Sequence, residues 1–272
     1  FTGEGASFII IYTKHTDFMD QELLKIFIAA SLIAASGGML GSLALLRRMA
    51  LVGDALSHVA LPGVALGILF HFNPFLGALV FLVFGTFAIW AVEHKTKLPV
   101  DTLVGVLFTV ALAVGALLTP REDILEALFG DISNISSLDF WLASIASIII
   151  IILLLAFYKK FTLSLISPDL ALASGQKPHM LELLFLMIFA FAVAVGIKFT
   201  GALLMGSIII IPAATSRNLA RSMNQYLALS ALLGVLGAVL GVLVSYFYGF
   251  SPGPAFVLFS GAIFFISIFF RR

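Results

Sequence analysis

An acid and an imidazole stand four residues apart in a segment that is otherwise apolar enough to lie inside a membrane. Asp54 and His58 belong to the run Gly53-Asp54-Ala55-Leu56-Ser57-His58. On an α-helix, residues with this spacing share one face and are separated by about 6 Å along the axis. A carboxylate and an imidazole so placed can bind one divalent cation, and Ser57 adds a hydroxyl beside them. Because a central Asp costs about 2.5–3.5 kcal/mol in hydrocarbon, the pair indicates a functional site.

Pro62 follows His58 by four residues and predicts a break in the same helix. Its ring has no N–H to donate to the His58 carbonyl. A helix that starts near Met49 places His58 about 14 Å along its axis, close to the middle of a bilayer core about 30 Å thick. Transporters often bind their substrate at such helix breaks. Spacing alone leaves three interpretations of the pair open, namely a metal site, a structural hydrogen-bonding pair and a proton relay.

The composition is typical of a membrane protein that crosses the bilayer several times. Of 272 residues, 61% are hydrophobic and 11% are charged, whereas about 25% of residues in soluble domains are charged. Cysteine is absent from the sequence, so a metal ligand must be a His, carboxylate, hydroxyl or backbone oxygen. Neither G-x-x-x-x-G-K-[ST] nor H-E-x-x-H occurs, which argues against a P-loop ATP site and an intramembrane zinc protease. Nothing in the sequence suggests that it binds nucleic acid.

Long apolar segments predict an all-α polytopic membrane protein with about eight or nine transmembrane helices, forming one domain over residues 1–272. Residues 1–20 are predicted to be a polar lead-in, and the stretch from Ile124 to Ser137 is predicted to be an amphipathic surface segment. The apolar tract from Met180 to Ile211 is interrupted at Lys198-Phe199-Thr200-Gly201. It is either one tilted helix or a span followed by a short returning helix. The other predicted spans cover residues 22–46, 50–70, 75–92, 101–119, 138–158, 226–247 and 254–270.

Lys and Arg concentrate at one set of helix ends, which predicts that these ends, including the C-terminus, are cytoplasmic. The set includes the loop over residues 159–179, where Ser167 and Pro168 predict the start of a short helix. It also includes a polar helix predicted over Pro212–Gln225, so the tract between them must cross the membrane and return. Lys198 is then at the outer end, where we expect it to extend toward water, with an electrostatic gate as the alternative.

The remaining histidines are isolated in the sequence. His15 and His71 fall at predicted outer ends, and His94 and His179 fall at predicted cytoplasmic ends. We expect all four to be ordinary surface imidazoles, with roles in metal entry or release as the alternative. Asp101 is expected to be an acid at the start of the fourth span rather than a ligand, because a carboxylate stabilises the positive end of a helix.

Five motifs in order make the chain resemble the permease subunit of bacterial zinc/manganese ABC importers, from about residue 30 onward. They are Arg47-Arg48-Met49 followed by Gly53-Asp54-Ala55-Leu56-Ser57-His58, Asp101-Thr102-Leu103-Val104-Gly105, Leu128-Phe129-Gly130-Asp131, Ile166-Ser167-Pro168-Asp169-Leu170-Ala171, and Lys198-Phe199-Thr200-Gly201-Ala202-Leu203-Leu204 running into Ile211-Pro212-Ala213-Ala214-Thr215.

The resemblance implies a fold similar to that of the cobalamin and siderophore importers. It further implies a homodimer of permeases in the bacterial plasma membrane, two separate cytoplasmic ATP-binding subunits and an extracytoplasmic metal-binding protein. In this family pattern the transported metal binds at Asp54 and His58. The segment Pro212–Gln225, with Arg217 and Arg221, would dock on the ATP-binding subunit, with the loop of Asp169 beside it. The chain would then be a transport subunit rather than an enzyme, with no permanently bound cofactor.

Zinc is the expected substrate, and manganese is the alternative. The segments Ile166-Ser167-Pro168-Asp169 and Ser251-Pro252-Gly253-Pro254 are more similar to the zinc-uptake members. However, Leu107-Phe108-Thr109 lacks the extra His that some of those members carry in the fourth span. One imidazole and one carboxylate do not separate the two metals. Two other classes remain as alternatives, a cation-coupled secondary transporter that acts alone and a structural membrane subunit.

Overall fold

The computed structural model describes residues 4–49, 51–96, 98–118, 136–248 and 251–271, with side chains from Glu22 onward except that of Leu203. All regular secondary structure in these residues is helical. In chain order the helices are α1 (Glu4–Leu46), α2 (Val52–Val59), α3 (Leu61–Leu69), α4 (Pro74–Thr96), α5 (Val100–Leu118), α6 (Ser137–Ile166), α7 (Pro168–Ala173), α8 (Pro178–Leu219), α9 (Met223–Tyr248) and α10 (Pro252–Ile268).

Within the described residues, seven segments are long and apolar enough to cross a membrane. They are Glu22–Leu46, Val52–Leu69, Pro74–Thr96, Val100–Leu118, Ser137–Ile166, Pro178–Ala202 and Met223–Tyr248. The helix α10 is also apolar but has only 17 residues. These segments confirm the predicted all-α membrane fold, and their positions follow the predicted spans closely.

Two helices extend beyond the predicted limits. The backbone of residues 4–20, predicted as a lead-in, continues directly into α1. The helix α6 runs to Ile166, so the first part of the loop predicted over residues 159–179 is helical instead. Phe161 explains the second difference, because its ring is buried against Phe185 at a centroid distance of 5.7 Å and extends the packed surface of α6. The predicted amphipathic segment from Ile124 lies, up to residue 135, outside the described residues.

The chain reverses direction within α8, at Gly201. Its backbone angles, φ 71° and ψ 170°, belong to a region that is essentially restricted to glycine. On a straight helix Phe189 and Ile209 would be about 30 Å apart. Instead, both side chains lie within 4 Å of the position that a Cβ of Gly53 would take. The chain therefore crosses in residues 178–200 and returns in residues 202–219, as the second of the two predicted arrangements requires.

The prediction of one polar helix over Pro212–Gln225 is wrong. Pro212 is buried within the returning arm of α8, which ends at Leu219. Ala220 is extended (φ −76°, ψ 143°), and α9 begins only at Met223. The apolar residues before Pro212 continue the helix through it, because neighbouring helices support a helix that has lost one backbone hydrogen bond. The segment is therefore a corner between α8 and α9.

The helices α1, α8 and α9 form the centre of the fold. Helix α1 packs against α6, α8 and α9, while α2 and α3 are enclosed by α4, α5 and α8. A row of aromatic side chains links α6 to α8, with Phe161, Phe185 and Phe189 in edge-to-face contacts at 5.7 and 5.9 Å. Inside a bilayer the lipid is as apolar as the helices, so specific ring contacts of this kind determine which helix packs against which.

Ion pairs join helix ends at the two opposite ends of the molecule, and each pair joins ends that the charge pattern places on the same side. At one end of the molecule, Arg47 at the end of α1 pairs with Glu93 on α4 at 3.2 Å and also with Glu182 on α8. At the other end, Lys198 on α8 pairs with Asp139 on α6 at 2.5 Å. Which end faces the cytoplasm stays a prediction from the distribution of Lys and Arg.

Candidate metal site

The short helix α2 carries both residues of the candidate site. Asp54 is partly buried, and His58, one turn further along, is only 6% exposed. The helix is interrupted at Ala60, two residues before Pro62, which confirms the predicted break. Ala60 nevertheless keeps helical angles (φ −71°, ψ −26°), so α2 and α3 are separated by a slight interruption rather than by an unwound segment.

The ring of His58 has an apolar wall on one side and an unpaired nitrogen. Phe108 on α5 contacts it edge to face, with the ring centroids 5.1 Å apart. The Nδ1 atom of His58 is buried and has no hydrogen-bond partner among the described residues. Because buried polar atoms in native proteins nearly always have a partner, this nitrogen is available as a ligand for a cation.

Ser57 connects α2 to the returning arm of α8. It is fully buried, and its hydroxyl lies 2.6 Å from the carbonyl of Ala202 and 2.6 Å from that of Asp54. A hydroxyl has one proton to donate, so the two carbonyls share it. The side chain of Ser57 is thus directed to backbone oxygens, and its main visible role is to hold α2 beside the turn at Gly201.

Gly206 brings the returning arm of α8 against the backbone of Asp54. A Cβ on Gly206 would lie only 2.7 Å from the Cβ and 2.8 Å from the Cα of Asp54. Small residues at such points let membrane helices approach closely. The site therefore has one wall from α8 beside Asp54 and another from Phe108 beside His58. Neither contact could be read from the sequence, because both join segments that are distant along the chain.

Two side chains are few for a resident metal. Among the residues whose structure is described, no group of three or more His, Asp or Glu side chains is arranged to hold a metal ion. Structural zinc sites have four protein ligands. A pair that leaves several positions to water or to other oxygens is better suited to an ion that binds and is then released.

The other predicted site residues lie away from α2. Asp169 is exposed in the first turn of α7, and Arg217 and Arg221 are exposed around the corner between α8 and α9. Because α8 reverses at Gly201, its last turn comes back to the end of the molecule where α7 leads into it. Lys198 is exposed at the opposite end, where it pairs with Asp139.

Sequence reasoning missed one further group of polar side chains. His94 and His179, which are isolated from each other in the sequence, are brought together with ring centroids 4.6 Å apart. They lie near the two glutamates that pair with Arg47. No local signal could have paired them, because 85 residues separate them along the chain.

The fold and the site define a polytopic helical membrane protein with a carboxylate and an imidazole enclosed between its helices. The chain belongs to the ABC 3 transport family, whose model matches residues 19–271. It is 32% identical over 252 residues to the manganese transport system membrane protein MntC of Listeria monocytogenes, covering 91% of this chain and 90% of that protein. It is 34% identical over 250 residues to the high-affinity zinc uptake system membrane protein ZnuB of Haemophilus influenzae, covering 90% and 95%.

Solved structures support the same assignment. PsaBC from Streptococcus pneumoniae, in complex with a Fab, matches with a TM-score of 0.81 and 28% identity, over 93% of this chain and 94% of that chain. A metal-chelate type ABC transporter in an inward-facing conformation matches with a TM-score of 0.76 over 90% of this chain and 85% of that chain. At 18% identity the second match shows the fold alone. The chain is thus a permease of the metal ABC importer family, whose members are transport subunits and not enzymes.

Proposed function

We propose that this chain is the membrane permease of an ATP-driven importer that carries a divalent metal ion, zinc or alternatively manganese, into the cytoplasm past Asp54 and His58. The observation that carries the proposal is the buried, unpaired Nδ1 of His58, one helical turn from a carboxylate within a segment long enough to span a membrane. A structural hydrogen-bonding pair would have used that nitrogen.

The site binds an ion and lets it go again because it has few protein ligands. Metal binding requires the imidazole to be neutral and the carboxylate to be ionised, so protons compete with the metal. Water or a backbone oxygen completes the coordination. Alternating access to the two ends of the molecule would then expose Asp54 and His58 first to the outer side and afterwards to the cytoplasm.

Zinc is our first choice of substrate. For a given set of nitrogen and oxygen ligands, zinc binds more tightly than manganese along the Irving–Williams order. Relatives of similar identity are named for each metal, so this choice rests on that general order of affinity and on the resemblance of residues 166–169 and 251–254 to the zinc-uptake members. A manganese importer would have the same architecture and would use the same two residues.

The energy would come from two ATP-binding subunits docked at the corner between α8 and α9. Arg217 and Arg221 are exposed there, and a groove of about 560 Å³ lies between Arg221, Gln225 and Phe270. Asp169 on α7 is at the same end and would lie beside the docked subunit. A second copy of this permease completes the assembly.

An extracytoplasmic metal-binding protein would deliver the ion at the opposite end, where Lys198 and Asp139 line a cavity of about 230 Å³. An ion pair across this entrance can act as a gate, because an arriving cation competes with the ammonium group of Lys198 for the carboxylate of Asp139.

Transport by the assembled importer tests the proposal. The permease is reconstituted in proteoliposomes with its ATP-binding subunits and its metal-binding protein, and the uptake of zinc and of manganese is measured for Asp54→Asn and His58→Ala. We expect ATP-dependent uptake to fall by about tenfold or more, since even the outer-shell partners of a metal contribute about 10–100-fold.

The matched control is Asp101→Asn, which removes an exposed carboxylate outside the site and should leave uptake nearly unchanged. Normal uptake by both site variants would refute the assignment. Uptake that follows a proton gradient without any ATP-binding subunit would instead identify a secondary transporter.

A further inference from the structure

Two imidazoles meet where the last turn of α4 and the first turn of α8 come together. The rings of His94 and His179 are 4.6 Å apart between centroids, at an interplanar angle of 76°, and both residues are exposed. Trp90 holds this arrangement from α4. Its ring stacks on that of His94 at 6.1 Å, and its Nε1–H donates a hydrogen bond to the carbonyl of His179 at 3.2 Å.

Two carboxylates lie beside the imidazoles at this end of the molecule. Glu93 and Glu182 both pair with the guanidinium of Arg47. The imidazoles and both carboxylates line one open cavity of about 540 Å³, so a cation that enters the cavity meets two imidazole rings with carboxylate oxygens beside them.

The separation of the two rings leaves room for a shared metal ion. Zinc binds imidazole nitrogen at about 2.0–2.1 Å, which places each ring centroid about 3.2 Å from the ion. Two rings at right angles around the ion would then have centroids about 4.5 Å apart, and two at the tetrahedral angle about 5.2 Å. The observed 4.6 Å lies in this interval, and it is equally the separation of an ordinary edge-to-face contact between two rings. Because Arg47 holds the carboxylates and no third side chain is arranged as a ligand among the described residues, water would fill the other positions.

We propose that His94 and His179 form a second divalent-cation site, separate from the transport site, with Glu93 and Glu182 beside it. The site selects ions that favour imidazole nitrogen, such as zinc or cobalt, over ions that favour oxygen alone. An ion bound there would link α4 to α8. It would therefore restrain the relative movement of the two helices on the side of the molecule that the charge pattern assigns to the cytoplasm.

The tryptophan content of the chain provides a local probe of this site. Trp90 and Trp141 are the two tryptophans of the sequence, and Trp90 stacks directly on His94. The substitution Trp141→Phe leaves Trp90 as the single tryptophan. In the purified full chain, a paramagnetic Co²⁺ ion bound by His94 and His179 should quench Trp90 fluorescence in a saturable manner, and excess diamagnetic Zn²⁺ should restore it.

Two further variants, each in the Trp141→Phe background, show whether the quenching ion is bound by His94 and His179 or by Asp54 and His58. His94→Gln/His179→Gln should raise the Co²⁺ concentration for half-maximal quenching by about tenfold or more. It keeps the backbone carbonyl that bonds to Trp90, and an unchanged emission spectrum without metal confirms that the local fold is intact. If this variant disturbs the spectrum, the single substitution His179→Gln provides the same comparison, because it leaves the ring stacked on Trp90 in place.

Asp54→Asn/His58→Ala should leave the quenching of Trp90 unchanged. The inference is overturned if Co²⁺ does not quench Trp90 in the parent, or if the glutamine variants quench at the same Co²⁺ concentration. This test is independent of the transport site. If the Asp54 and His58 variants take up metal normally while Trp90 quenching is retained, only the proposed role of Asp54 and His58 is refuted, and the second site is unaffected.

Discussion

The ring of His58 has an apolar neighbour on one side and an unpaired nitrogen of its own, and in the proposed metal site these two features would set how strongly it holds an ion. Phe108 covers one side of the ring at 5.1 Å and contributes no ligand. The buried Nδ1 on the same ring has no partner among the described residues. An imidazole that is shielded from water but is not otherwise occupied binds a cation without first breaking a protein hydrogen bond. In the proposed site, the aromatic neighbour would keep the number of metal ligands low and so favour release of the ion.

The substitution Phe108→His should convert this transient site into a tighter one. The new imidazole would lie beside His58 and add a third ligand, giving the set of two histidines and one carboxylate found in some zinc enzymes. We expect zinc affinity, measured by equilibrium dialysis of the purified permease, to rise by about tenfold or more, and ATP-driven uptake to slow because release becomes harder. Phe108→Leu is the control without a ligand. Equal zinc affinity in the two variants would show that Phe108 does not border the site.

At the scale of single helices, the reversal of α8 at Gly201 positions the walls of the site. The returning arm lies against Asp54 at Gly206 and accepts a hydrogen bond from Ser57 at the carbonyl of Ala202. Both contacts depend on the direction that the chain takes after Gly201. A continuous helix would carry residues 202–219 away from α2, and the site would lose one side.

Gly201→Ala should therefore destabilise the protein. The observed φ of 71° with ψ of 170° is essentially closed to residues with a Cβ, and such strain costs about 1–3 kcal/mol. We expect a lower midpoint of thermal unfolding in detergent and weaker metal binding. Gly261→Ala on α10 is the matched control, because a Cβ there meets no atom within 4 Å. It should leave the midpoint unchanged or raise it, since alanine favours helix by about 1 kcal/mol over glycine. A similar midpoint for both variants would count against strain at Gly201.

At the scale of the whole molecule, ion pairs connect neighbouring helices at each of its two ends. Arg47 joins α1, α4 and α8 at one end, and Lys198 with Asp139 joins α8 to α6 at the other. A transporter that alternates between two open states must weaken one end while the other is closed. The corner carrying Arg217 and Arg221 follows directly from the returning arm of α8, so a force applied there would be transmitted along that arm to Asp54.

Arg217→Glu/Arg221→Glu tests this connection. Charge reversal should prevent docking of the ATP-binding subunit and abolish ATP-driven uptake, while equilibrium binding of zinc to the isolated permease remains unchanged because both residues are exposed and lie away from α2. Copurification of the ATP-binding subunit is the second readout. Lys95→Glu, an exposed charge reversal at the end of α4, is the control and should retain both uptake and copurification. Normal copurification with Arg217→Glu/Arg221→Glu would place the docking surface elsewhere.

Features that depend on neighbouring residues were predictable from the sequence. The membrane spans follow from apolar runs, because a helix must cover the bilayer core with about 20 such residues. The spacing of Asp54 and His58 places them on one face of a helix, Pro62 interrupts that helix, and Gly201 ends a span. The five motifs also indicated the family, which the match over residues 19–271 confirms.

Features that join distant segments needed the folded chain. Phe161 extends α6 only because Phe185 is there to pack against it, and Pro212 lies inside a helix because its neighbours support the backbone. His58 meets Phe108 and His94 meets His179 through contacts that bring together segments about 50 and 85 residues apart in the sequence. Local propensity sets where a helix can form, whereas the energy that selects its neighbours comes from packing between helices. The types and spacing of the residues thus predict a metal site at Asp54 and His58, and the packing of α5 and α8 around α2 determines how much space such a site would have.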